Sequence, residues 1–129
     1  MRTPLLAWLL LIPLTLAPFA SVRATAEACA GKAAAMLDAL GHEDYATARS
    51  HMGAKLQAEP QQKMLVSMWQ ALLRDSWGPY QSHGAASTVA DDGRATTIRL
   101  PLQFARGATT ATITCDAEQG GAIDEFVLL

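Results

Sequence analysis

The feature that most constrains this chain is a change of hydrophobic rhythm near its middle, where apolar residues spaced three and four apart give way to strict alternation with polar ones. A period of about 3.6 belongs to a helix with one buried face, and a period of two to a strand with one buried face. In the first half, Cys29, Ala33, Met36, Leu37 and Leu40 make one helical stripe, and Gly41, just past it, predicts the stop. Asp44 is placed to cap a second helix running through Tyr45, Ala48, Met52 and Leu56. Glu59 and Pro60 open a third, whose set Met64, Leu65, Met68, Trp69, Leu72 and Leu73 is wide enough to predict the most buried helix of the three. Gly78-Pro79, within "SWGPYQS", breaks that helix and starts extended chain.

In the second half, turn chemistry at Asp92-Gly93, Arg106-Gly107 and Gly120-Gly121 divides the chain into four strands of a meander. Ile98, Leu100, Leu102 and Phe104 point one way while Thr97, Arg99, Pro101 and Gln103 point the other, so the sheet has one packed face. Ala111, Ile113 and Cys115 share a face in the next strand. Pro101 predicts an edge or a bulge, because proline has no N–H for a ladder. The class is α+β, with N-terminal helices packed on a four-stranded antiparallel sheet.

Residues 1–24, "MRTPLLAWLLLIPLTLAPFASVRA", have a basic start, an apolar middle and small residues around Arg23, the pattern of a cleaved signal peptide with the cut after Ala24. The competing membrane anchor is short and is interrupted by Pro4, Pro13 and Pro18. Lipid attachment at Cys29 is disfavoured by Glu27, which stands where a small residue is expected. Residues 25–129 then form a single domain. Losing Arg2 and Arg23 from 10 basic residues leaves 8 against 12 acidic ones, a net charge of −4. The remaining bases are dispersed, so nucleic acid is not an expected partner. After cleavage no membrane association is expected, and the protein is expected in the periplasm or secreted. In that setting Cys29 and Cys115 are expected to form a disulfide. A buried free thiol pair or a catalytic cysteine are the competing readings.

The stretch "GHEDYATARSHM" gathers His42, Glu43, Asp44 and His51. A metal site wants ligands one turn apart on a helix face or a tight cluster from facing elements, and this spacing supplies neither directly. The expectation is a helix-to-helix junction with Asp44 as a cap, and neither metal nor cofactor.

In order, "ALGHEDYATA", "MWQALLRDSWGPYQS", "LPLQFARG" and "ITCDAEQGGAIDEFVL" resemble a bacterial exported family known only as a domain of unknown function, similar to the nuclear-transport-factor-2-like (SnoaL-like, cystatin-like) superfamily. The resemblance implies a cone in which the helices lie against a strongly curved sheet, and dimerisation through that sheet is common among such folds. Cys115, in place of an aromatic or aliphatic, and the expanded turn "DAEQGGA" depart from the pattern and leave the register of the last hairpin open. Cone folds host isomerases, dehydratases and polyketide cyclases, and that chemistry needs a carboxylate or histidine inside the pocket. The residues read as inward are Cys29, Leu37, Tyr45, Met68, Trp69 and Leu72 from the helices, and Ile98, Leu100, Leu102, Phe104, Ile113 and Phe126 from the strands. They include no such base, and no GxSxG marks a nucleophile. The expectation is a non-enzymatic module that binds a small apolar ligand or a partner protein, with an isomerase or cyclase as the alternative. The candidate ligand contacts are Tyr45, Trp69, Trp77, Tyr80, Leu100 and Phe104.

Overall fold

A computed structural model describes residues 20–129, with side chains from Thr25 onward. Most of the expected leader lies outside the described residues. The first helix, α1, spans Ala20–Gly41, so the expected cut after Ala24 falls within its first turns. Cys29, Ala33, Met36, Leu37 and Leu40 are all buried, so the stripe read from spacing is the face that α1 lays on the sheet.

α1 ends at Gly41, where the sequence placed its stop, but the residue that closes it is not the glycine. Asp44 N–H donates to the Ala39 carbonyl (2.9 Å) and Glu43 N–H to the Leu40 carbonyl (3.0 Å), the paired closure of a Schellman motif. The left-handed position of that motif is Glu43, with φ 56°, and Gly41 stays inside the helix. Gly41 is needed for a different reason: a Cβ there would sit 2.6 Å from Cδ1 of Tyr80.

Asp44 caps α2 (Tyr45–Ser50) by accepting from Thr47 N–H at 3.2 Å. This helix is shorter than expected. Met52 and Leu56 lie beyond it, because the chain turns at His51 to meet the sheet and Met52 forms a parallel bridge with Ile123. A single turn, α3 (Ala54–Gln57), leads to α4 (Gln61–Ala71), which continues as a π-helical turn over Leu72–Ser76.

α4 is not the most buried helix; α1 is. Gln62, Leu65 and Trp69 are the buried residues of α4, whereas Met64 is 67% and Met68 38% exposed. Met68 therefore does not face inward as expected. α1 already occupies the centre of the apolar face of the sheet, and α4 reaches the core only through the narrow Leu65 and Trp69 stripe.

The sheet has five antiparallel strands rather than four: β1 (Tyr80–His83), β2 (Ser87–Asp91), β3 (Ala95–Phe104), β4 (Gly107–Asp116) and β5 (Ala122–Leu128). The additional strand is β1, the extended chain after Gly78-Pro79, which pairs with the end of β3. β1 and β2 share one side of β3, β4 lies on the other side, and β5 lies beyond β4, so the sheet stays open. Pro101 sits where β1 gives way to β2. Its carbonyl accepts from Gly84 N–H at 2.8 Å on that side, so its missing N–H also falls at the break in pairing. The turn between β3 and β4 is Ala105-Arg106, with Gly107 already in β4. The β4–β5 hairpin keeps Ile113 opposite Phe126 and shifts register between Thr114 and Cys115. Thr96, Ile98, Leu100, Leu102, Phe104, Ala111, Ile113, Cys115 and Ile123 form the covered face. Cys29 of α1 is bonded to Cys115 of β4, with Cα atoms 5.8 Å apart.

Candidate functional site

Four of the six expected ligand contacts meet in one aromatic cluster. Trp69 packs against both Tyr80 and Phe104, with ring centroids 5.8 and 5.5 Å away, and Trp77 and Tyr80 stand 5.3 and 5.6 Å from Phe104. Phe126 adds a fifth ring, 6.4 Å from Trp69. Tilted rings at these separations are in packing contact. Trp69 and Phe104 are fully buried, and Trp69 Nε1–H donates to the Leu40 carbonyl at 2.7 Å, pinning α4 to the end of α1. Leu100 is buried two positions before Leu102 on the same face of β3. Tyr45 packs at the margin of the core and makes none of these ring contacts. The interior at this place is thus filled by its own side chains.

The 41–52 junction is organised by local bonds. Thr47 Oγ1 donates to Asp44 at 2.6 Å, and that hydroxyl, followed by the Thr47 amide, holds the Asp44 carboxyl below its ordinary range. His42 Nδ1 lies 2.7 Å from the Asp38 carbonyl, and Glu43 pairs with Arg74 at 3.6 Å. Among the described residues no group of three His, Cys, Asp or Glu side chains is placed to hold a metal ion. Burial, then the Glu43 charge, raises the Tyr45 hydroxyl above its usual value.

The surface feature that stands apart is an apolar groove of about 430 Å³ lined by Leu56, Gln61, Met64, Leu65, Met68 and Phe126. It continues into a second hollow of about 310 Å³ along β5, which shares Leu56 and Phe126 and adds Lys55, Asp124, Glu125 and Val127. Three elements build it. α3 contributes Leu56, α4 contributes its two exposed methionines, and β5 contributes the ring of Phe126. Methionine is flexible and polarisable, and suits a surface that must fit a partner. Sequence reasoning read Met64 and Met68 as core, and no single stretch marks the groove.

The fold and groove together define an α+β domain with a packed interior and an apolar external face. No family model matches the chain, and neither the curated proteins nor the solved structures compared with it give a match. Among the described residues no helix is long and apolar enough to cross a membrane.

Proposed function

We propose that this chain is an exported, non-enzymatic interaction module that docks a partner protein in the groove between α3, α4 and β5. The observation that carries this reading is the contrast between a filled aromatic interior and a methionine-lined surface groove: a small-molecule carrier keeps its apolar hollow inside, whereas a docking module keeps its apolar surface outside. Export is supported by the signal-like residues 1–24 and accords with the Cys29–Cys115 bond. Helices preceding an open antiparallel sheet accord with the nuclear-transport-factor-2-like resemblance, which remains part of the proposal. The isomerase or cyclase alternative needs a base facing the interior. Buried polar side chains among the described residues are Gln62, Thr96 and Thr109, which do not take up a proton at neutral pH.

Photo-crosslinking in the producing cell tests the reading. A crosslinker placed at Met64 or Met68 is expected to capture a discrete protein partner, while one at Val89, 47% exposed on β2 at the opposite edge of the sheet, is expected to capture none. Equal capture at all three positions, or a small molecule retained in stoichiometric amount by the purified protein in native mass spectrometry, overturns it.

A further inference from the structure

The two edges of the sheet are unlike. On one side, β1 and β2 are four and five residues long, and each shifts register against β3. Short, irregular strands are the means by which proteins keep an edge from pairing. On the other side lies β5, seven residues long and ending in Phe126, Val127 and Leu128. Its beginning is covered, since Ile123 N–H donates to the His51 carbonyl at 2.9 Å and Gly53 N–H to the Ile123 carbonyl at 2.7 Å. Beyond Asp124 no backbone bond among the described residues occupies the outer side.

Alternation along the ladder identifies which groups are free. Leu129 N–H donates to the Thr110 carbonyl at 3.1 Å and Thr110 N–H to the Leu129 carbonyl at 3.5 Å, so this pair faces inward. In an antiparallel ladder such pairs recur at every second residue, which turns Val127 and Glu125 toward β4 and directs the N–H and C=O of Phe126 and Leu128 away from the sheet. A strand laid against them would set its own side chains opposite Phe126 and Leu128, on the same face. That face looks onto the groove of Leu56, Met64 and Met68. Backbone donors and acceptors beside an apolar groove are what an extended peptide requires.

Charge narrows the occupant. Asp124 borders the same hollow and has no ion-pair partner among the described residues, whereas Glu125 is paired with Lys55 at 3.6 Å. β5 carries two acids and no base, so a second copy pairing β5 to β5 brings nothing to neutralise Asp124. We propose that β5 and the adjoining groove bind an extended segment of a partner protein, added antiparallel to β5, with apolar side chains at two alternate positions and a Lys or Arg two positions further on, facing Asp124. This rests on the interaction-module reading and specifies its partner.

The probe is a capped synthetic peptide, acetyl-TVTVTKT-amide, titrated into the isotope-labelled mature protein and followed by amide and methionine-methyl NMR. Binding is expected to shift the Phe126 and Leu128 amides and the Met64 and Met68 methyls and to slow exchange of those two amides. Methylating the two valine nitrogens of the peptide leaves the protein untouched and is expected to weaken binding by about tenfold or more, as is Met64→Glu. Asp124→Asn is expected to weaken the lysine peptide and leave its threonine-substituted counterpart unchanged. Equal binding of the methylated and unmethylated peptides in the groove overturns strand addition and leaves the interaction module standing. Concentration-dependent self-association through β5 overturns it in favour of a second copy. No binding of the peptide overturns it outright, and the module reading then stands or falls on the crosslinks at Met64 and Met68.

Discussion

Tyr80 is the residue whose environment most plainly works against its own chemistry. Its hydroxyl is buried without a hydrogen-bond partner among the described residues, and burial, followed by the Asp38 charge, pushes its ionisation up to about 12. An unfolded tyrosine ionises at about 10. A raised value means that the neutral phenol is favoured in the fold: its contribution is complete below pH ~10 and is lost as the pH rises from there through the folded value. Tyr80→Phe removes both the unpaired hydroxyl and the titration. The variant is expected to match or exceed wild-type stability at neutral pH by up to about 1 kcal/mol, and to lose less stability than wild type in alkali. Thermal melts on both sides of pH 10 check this, and a destabilised variant at neutral pH would show that the hydroxyl has a partner. Glu43 makes a second case. Its left-handed backbone costs an ordinary side chain about 1 kcal/mol, and its exposed pairing with Arg74 returns less than that, so Glu43→Gly is expected to raise the denaturant midpoint. At this scale the sequence is readable where partners are near in the chain. Asp44 was recognisable as a cap because Thr47 is three positions away, whereas the need for glycine at position 41 comes from Tyr80, far along the chain.

Among the elements, α1 from Cys29 onward and β3 were legible because each repeats its buried residues with a regular period. Periodicity says which face of a helix is apolar but not whether another part of the protein covers that face, and α4 shows the difference. Leu65 and Trp69 turn inward and Met64 and Met68 outward, although all four belong to one apolar arc. β1 escaped notice for a simpler reason: four residues between a Gly-Pro turn and Gly84 are too few to display a period. The aromatic cluster could be anticipated from residue type, while the groove could not, since its walls come from three elements that only the fold brings together. Paired substitutions on α4 separate the two faces. Trp69→Ala is expected to cost about 3–5 kcal/mol by emptying the centre of the aromatic cluster. Met64→Glu, one turn away on the exposed side, is expected to stay within about 0.5 kcal/mol of wild type. Urea unfolding with a common slope decides the matter, and a large loss at Met64 would mean that the groove is core rather than docking surface.

At the scale of the whole molecule, the Cys29–Cys115 bond ties the helical half to the strand half, joining the stripe of α1 to the covered face of β4 across a sequence separation of 86. Its existence was readable because both cysteines lie on apolar faces that must meet if α1 covers the sheet. Closing so long a loop restricts the unfolded chain, and the entropy of that restriction corresponds to about 4–5 kcal/mol, with native strain acting to reduce it. A domain of this size has a total stability of about 5–15 kcal/mol, so the crosslink is a large fraction of the whole. The bond also fixes α1 over the sheet, leaving α4 at the periphery where its methionines stay exposed. Reduction is therefore expected to lower the melting temperature substantially, and Cys29→Ser alone to do nearly as much as the double substitution, since either removes the same loop. Thiol counting on the denatured, unreduced protein should find none free. Two free thiols per chain would remove the crosslink and leave Cys115 as a small residue of the β4 face.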